Sequence, residues 1–182
     1  MPHSAVAARY AKSLLNLATE KGKLDEVYAD MHTVIVSCRI KDFQLLLSSP
    51  LVKTDKKITA FKTIFSGRIS DMTEKFMELL AKNKRESYLE KIADEFIDQY
   101  KVQKKIVTVT VTSAVKLDDA VRKKLYTILN TWFKSQIELE EKIDPKLIGG
   151  FILTVGNRQA DVSVLRQLKK LNKNFNQTYL LN

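Results

Sequence analysis

Glu138, Glu140 and Glu141 fall within four consecutive positions, close enough for carboxylates to share a hard cation, and His32 is one of only two histidines. Both signals weaken once the residues are placed on their elements. Ile137, Leu139 and Ile143 alternate with Glu138, Glu140 and Lys142, which predicts a strand with Glu138 and Glu140 on its solvent face and Glu141 pointing the other way. His32 falls in a helix whose other members make an apolar stripe, and no serine or cysteine is placed to form a nucleophile–base pair with it. Gly149-Gly150 is no phosphate loop, because neither GxxxxGK[ST] nor GxGxxG after a strand occurs; within an apolar strand it predicts a bulge or a close backbone approach. Asp161 and Ser163 are spaced to cap a following helix. Cys38 is the only cysteine, so no internal disulfide and no Cys/His zinc module can form. Residues of reactive type are present without a constellation, and the expectation is a non-enzyme with no metal and no cofactor.

The elements that carry these residues divide the chain into two parts. It has 182 residues, 45% of them hydrophobic, with only five Gly and three Pro, which favours long helices over a many-turned all-β chain. To about Lys105 the apolar period is helical. Val6, Tyr10, Leu14 and Leu17 form one stripe, stopped at Gly22, and Leu24 to Cys38 carry the next. A short apolar turn spans Phe43 to Leu47. Thr54, Ser70 and Ser87 then stand where N-caps of three further helices are expected, the fifth bearing Phe76, Leu79, Leu80 and Asn83. From Lys105 the period becomes two: Ile106 to Thr112 is the strongest strand signal. A helix capped by Asp118 follows, then strands at about 137–143 and 147–155 joined by Asp144-Pro145-Lys146 and expected to pair as a hairpin, then a last helix from Ser163 with Val164, Leu165, Leu168, Leu171 and Phe175 inward. The predicted architecture is an all-α six-helix bundle over residues 1–104 and a small α+β domain, β-α-β-β-α, over 105–182.

Net charge is +10, from 31 Lys and Arg against 21 Asp and Glu, and suggests acidic partners. Divided after Lys104, the first part carries +4 and the second +6, so neither is dominated by one sign. The densest basic clusters, Arg122-Lys123-Lys124 and Lys169-Lys170 with Lys173, lie on helices and lack the aromatic-bearing strand of an RNA-binding sheet. A basic nucleic-acid-binding module is therefore the second choice behind a surface for acidic protein segments. The longest apolar run, Leu147 to Val155, is about half of the roughly 20 residues that a spanning helix needs, and no secretory leader is visible at the start.

Two stretches resemble a known family, the delta subunit of F-type ATP synthases, counterpart of the mitochondrial oligomycin sensitivity conferring protein. Ala8-Arg9-Tyr10-Ala11-Lys12-Ser13-Leu14-Leu15, followed by Ala18 to Leu24, is similar to the family's opening helix. Ile143 to Phe151 with its Gly149-Gly150 pair, then Gly156, Asp161-Val162-Ser163-Val164 and Leu168, is similar to its C-terminal signature. The resemblance implies a stator subunit of a proton-driven, multi-subunit ATP synthase, peripheral on the cytoplasmic face of a bacterial inner membrane. It implies two partners: the N-terminal helix of an alpha subunit, received by the helical domain, and the b-subunit stalk, met by the C-terminal region. On that basis Tyr10, Ala11 and Leu14 with Phe76, Leu79, Leu80 and Asn83 would line the receiving groove. Gly149, Gly150, Phe151, Asp161 and Ser163 would form the C-terminal signature, and Lys169, Lys170 and Lys173 would face acidic stalk residues. Lys84-Arg85-Glu86 departs from the family, in which glycine often follows the fifth helix, and Ser13 stands where alanine is common.

Overall fold

The computed structural model describes residues 5–133 and 135–168. The chain divides after Gln103 into two compact units. The first contains α1 (Ala5–Glu20), α2 (Leu24–Cys38), α3 (Lys41–Ser48), α4 (Thr54–Phe65), α5 (Asp71–Lys82) and α6 (Leu89–Gln103). Residues three and four apart share a helix face, and the resulting stripes form the core. Ala7, Ala11, Leu14 and Ala18 of α1, Val27, Met31 and Val34 of α2, and Ile92, Ala93 and Phe96 of α6 are all buried. The alanines of α1 leave room for close approach, and α1 and α2 both pack chiefly on α6 while α4 packs on α5.

Helix ends follow local chemistry with two corrections. Ser70 caps α5 as expected, its Oγ accepting from the Thr73 N–H. Thr54 is instead the first residue of α4, and Lys53 occupies the cap without a side-chain bond. Ser87 lies inside a 3-10 turn, Glu86–Tyr88, that runs straight into α6, so the chain needs no capping box there. Gly22 closes α1 at φ +66°, with the Lys23 N–H donating to the Ala18 carbonyl at 2.9 Å. α5 closes in the same way on a lysine: Lys84 has φ +56°, and the Arg85 N–H reaches the Leu80 carbonyl at 2.8 Å. A left-handed conformation costs a side-chain-bearing residue about 1–2 kcal/mol, of which glycine's extra chain entropy returns roughly half. Lys84→Gly is accordingly expected to raise the unfolding free energy by about 0.5–1 kcal/mol in urea denaturation; an unchanged or lowered midpoint would contradict this reading of the turn.

The second unit contains β1 (Ile106–Ser113), α7 (Asp119–Phe133), β2 (Gln136–Ile143), β3 (Phe151–Val155) and β4 (Arg158–Asp161), and residues 164–168 are helical. A helical part followed by a small α/β part agrees with the sequence reading. The strand pairing does not. The sheet order is β2-β1-β3-β4, so β2 lies parallel to β1 through the α7 crossover, and β3 pairs antiparallel with the opposite edge of β1. No β2–β3 hairpin forms. The connection crosses the end of β1, where the Asp144 N–H donates to the Ser113 carbonyl at 2.8 Å, and passes through a 3-10 turn, Pro145–Leu147. The most β-branched strand thereby becomes central and gains a neighbour on each side, while a hairpin would leave it at an edge. Gly149-Gly150 precedes β3 rather than lying within it, and β4 is an additional strand.

One sheet face packs on α7, with Val109, Val111, Leu125, Leu129 and Leu153 as its core. On the other face Thr108 and Thr110 donate from their hydroxyls to Glu138 (3.3 Å) and Glu140 (3.4 Å). Glu141 lies on the α7 side and accepts from Arg122 Nε at 2.6 Å. The three carboxylates therefore divide between faces as their alternation requires. That Arg122 bond is also what chiefly holds the Glu141 carboxyl below its ordinary range.

Candidate functional site

The helical unit presents a seam between α1 and α5, and other elements hold α5 at both ends. At its N-terminus the Asp30 Oδ2 of α2 accepts three hydrogen bonds: from the Ser70 N–H (3.0 Å), the Ser70 hydroxyl (2.6 Å) and the Thr73 hydroxyl (2.7 Å). A buried carboxylate at a helix N-terminus also meets the positive end of the helix dipole. Along its length, Glu78 and Glu74 face Lys62 of α4 at 2.8 and 4.0 Å. The Glu78 hydrogen bond raises the Lys62 ammonium and lowers the Glu78 carboxyl from their usual ranges. Just past its C-terminus, Glu86 accepts from the buried Lys57 ammonium of α4 at 2.6 Å.

Across the seam the Tyr10 ring meets Phe76 edge-on, with centroids 6.5 Å apart, and Asn83 Nδ2 donates to the Tyr10 hydroxyl at 3.4 Å. Tyr10 is half-buried and Asn83 exposed. Ala11, Leu14, Phe76 and Leu80 are buried in the bundle, so of the seven residues expected to line the groove only Tyr10, Leu79 and Asn83 present appreciable surface. Leu79, in contrast, is 48% exposed on the α5 side. Leu17, 43% exposed, lies two helical turns from Tyr10 on the same face of α1. In the sequence Leu17 stands as one member of the α1 stripe, and its i+7 spacing from Tyr10 is the signal that places the two on one face. Two exposed leucines flanking an aromatic–amide contact suit an amphipathic helix laid along the seam.

The five C-terminal signature residues come together at one junction. An added Cβ at Gly150, whose φ is +75°, would stand 2.5 Å from the Val162 carbonyl oxygen, which is the close approach expected of this glycine. The Phe151 carbonyl accepts from the Val162 N–H at 3.0 Å, and the Gly149 carbonyl accepts from the Val164 N–H at 3.0 Å. Asp161 Oδ1 accepts from the Ser163 N–H at 2.9 Å, and Ser163 Oγ accepts from the Arg166 N–H at 3.2 Å, so the pair caps the helical segment at 164–168. The signature builds structure here. Lys169, Lys170 and Lys173 lie outside the described residues. In the other basic cluster Arg122 is engaged by Glu141 and Asp119.

Among the described residues no group of three or more His, Cys, Asp or Glu side chains could hold a metal ion, and no helix is long and apolar enough to cross a membrane. His32 is exposed and touches the Tyr28 ring. Cys38 is buried, and burial, helped by Glu90 and Asp94, pushes its thiol up to about 12. Two outcomes follow. Cys38 in the native chain is expected to react with a disulfide reagent only through unfolding. Because the unfolded thiol ionises first, stability is fully present below the unfolded value of 9.0 and is lost as pH rises toward about 12. Tyr100, raised to about 12 mainly by burial and by its bond to Asp25, acts with the same sign. Urea denaturation at about pH 8 and about pH 10.5 checks this, and equal stability at both would contradict it.

The fold defines a class of protein: a two-unit chain, helical first and α/β second. The family model described as ATP synthase delta (OSCP) subunit matches residues 6–175. A curated ATP synthase subunit delta from Cytophaga hutchinsonii is 38% identical over 179 residues, covering 96% of each chain. One from Prochlorococcus marinus (strain MIT 9301) is 34% identical over 173 residues, covering 92% of this chain and 94% of the relative. The fold also matches a chain of the Toxoplasma gondii mitochondrial ATP synthase hexamer at TM-score 0.74 and 24% identity, covering 98% and 99% of the two chains. The chain belongs to the ATP synthase delta (OSCP) subunit family, whose members are structural stalk subunits and not catalytic ones.

Proposed function

We propose that this chain is the stator joint of a bacterial F-type ATP synthase, peripheral on the cytoplasmic face of the inner membrane. Its helical unit receives the N-terminal helix of an alpha subunit, and its α/β unit meets the b-subunit stalk. The observation that carries the reading is the α1–α5 seam, where Tyr10 and Asn83 make a polar anchor and Leu17 and Leu79 stand exposed beside it. A visiting helix would set apolar side chains against Leu17 and Leu79 and find one hydroxyl and one amide to orient it. A joint that resists torque through many rotary cycles needs slow dissociation more than fast association, and a packed apolar seam with a directional anchor supplies that.

On the α/β unit, Ile128 and Trp132 stand exposed on α7, Trp132 at 67%, an apolar surface suited to a stalk helix. Lys169, Lys170 and Lys173 add charge complementary to acidic stalk residues. Changing all three to Gln is expected to weaken stalk-peptide binding and to flatten its salt dependence; unchanged affinity and slope would remove these lysines from the interface. The reading as a whole is tested by co-purification from a nuclease-treated membrane extract, where ATPase activity should follow the tagged chain. An eluate without that activity would overturn it.

A further inference from the structure

Lys57 and Glu86 form a buried ion pair that the docking seam does not itself contain. Their side chains are only 4% and 13% exposed, and the Lys57 ammonium donates both to Glu86 Oε1 at 2.6 Å and to the Leu47 carbonyl in the last turn of α3 at 3.2 Å. One ammonium therefore ties α3, α4 and the turn after α5. Glu86 Oε2 is buried with no hydrogen-bond partner among the described residues. An apolar pair of similar volume would hold these segments together without desolvating two charges, so stability alone does not account for the pair.

Its position bears on the turn three residues upstream. Asn83, the seam's amide anchor, is followed by Lys84 at φ +56°, then by Arg85, whose N–H reaches the Leu80 carbonyl at 2.8 Å. A lysine keeps a left-handed conformation only where the surroundings over-determine it. We propose that the Lys57–Glu86 pair is a positioning device for the seam: by pinning Glu86 it holds the left-handed Lys84 turn, and with it Asn83 against Tyr10. The pair touches no partner and acts through the turn. This inference rests on the reading of the seam as a docking site, and its test separates the two.

The full chain carrying Lys57→Met with Glu86→Leu is expected to stay folded, with a urea midpoint lowered only modestly, by the Leu47 carbonyl that loses its donor. Its Arg85 amide should nevertheless exchange at least about tenfold faster, and a synthetic alpha-subunit N-terminal peptide should bind at least about tenfold more weakly. Adding Lys84→Gly should recover part of both, about two- to fivefold, because glycine adopts the left-handed turn with less strain. Wild-type exchange and affinity in the folded double variant would overturn the proposal. Should that variant fail to fold, Glu86→Asp, which keeps the charge but shortens its reach, decides on the same two readouts. If the wild-type chain does not bind the peptide, the docking reading falls, and Arg85 exchange alone decides whether the pair positions the turn.

Discussion

Leu79→Glu is expected to weaken capture of the alpha-subunit N-terminal peptide at least about a hundredfold, close to 3 kcal/mol, while leaving the fold intact. The two effects separate because of where Leu79 stands. In the free chain its side chain is half in water, and a charge on such a position shifts stability by about 0.5 kcal/mol or less. Under a docked apolar helix the same carboxylate would be buried without a partner, at several kcal/mol. Its neighbour Leu80 makes the contrast: it is fully buried, and Leu80→Glu would unfold the bundle and report nothing about docking. Titration calorimetry with a parallel urea curve measures both quantities. Wild-type affinity in the folded variant would place the groove elsewhere.

Asp30→Ala is expected to lower stability by about 3 kcal/mol in urea denaturation at neutral pH. The substitution removes the common acceptor of the Ser70 N–H and of the Ser70 and Thr73 hydroxyls, leaving one buried and two part-buried donors at the start of α5. It also removes negative charge from a helix N-terminus. Asp30→Asn, which keeps an acceptor oxygen, should recover part of the loss. A cost under about 1 kcal/mol for Asp30→Ala would mean that solvent satisfies those donors and that α5 is not anchored there.

Local signals served the helices well and the sheet poorly. Apolar spacing of three and four places α1 and α2 within a residue or two of their ends, because burial against α6 acts on the same stripe that periodicity detects. β2 and β3 were each legible, but their partners were not. Sequence neighbours usually pair, and here β1 displaced β3 from β2 by taking the centre. β4 escaped because Arg158-Gln159-Ala160-Asp161 is a short, exposed edge strand with no apolar alternation, although Gly156-Asn157 before it is a two-residue turn signal.

At the seam, spacing put Phe76, Leu79 and Leu80 on one stripe and could not tell that Leu80 faces inward while Leu79 faces out. About 100° of helix separates them, which places one in the core and the other at its rim. Asp30 gave a faint signal, an acid within the α2 stripe of Val27, Met31 and Val34. Lys57 and Glu86 gave none, since their meaning depends on a contact 29 residues apart. Buried polar groups are defined by tertiary partners, and a single sequence does not display those.

The most direct test of the central claim is an NMR titration of the isotope-labelled full chain with the alpha-subunit N-terminal peptide. Saturable binding with the largest shifts at Tyr10, Leu17, Leu79 and Asn83, and little change around Leu129 and Leu153 of the α/β core, is the result that docking at the α1–α5 seam predicts. Absence of binding, or shifts gathered on the α/β unit with the seam unchanged, would contradict it.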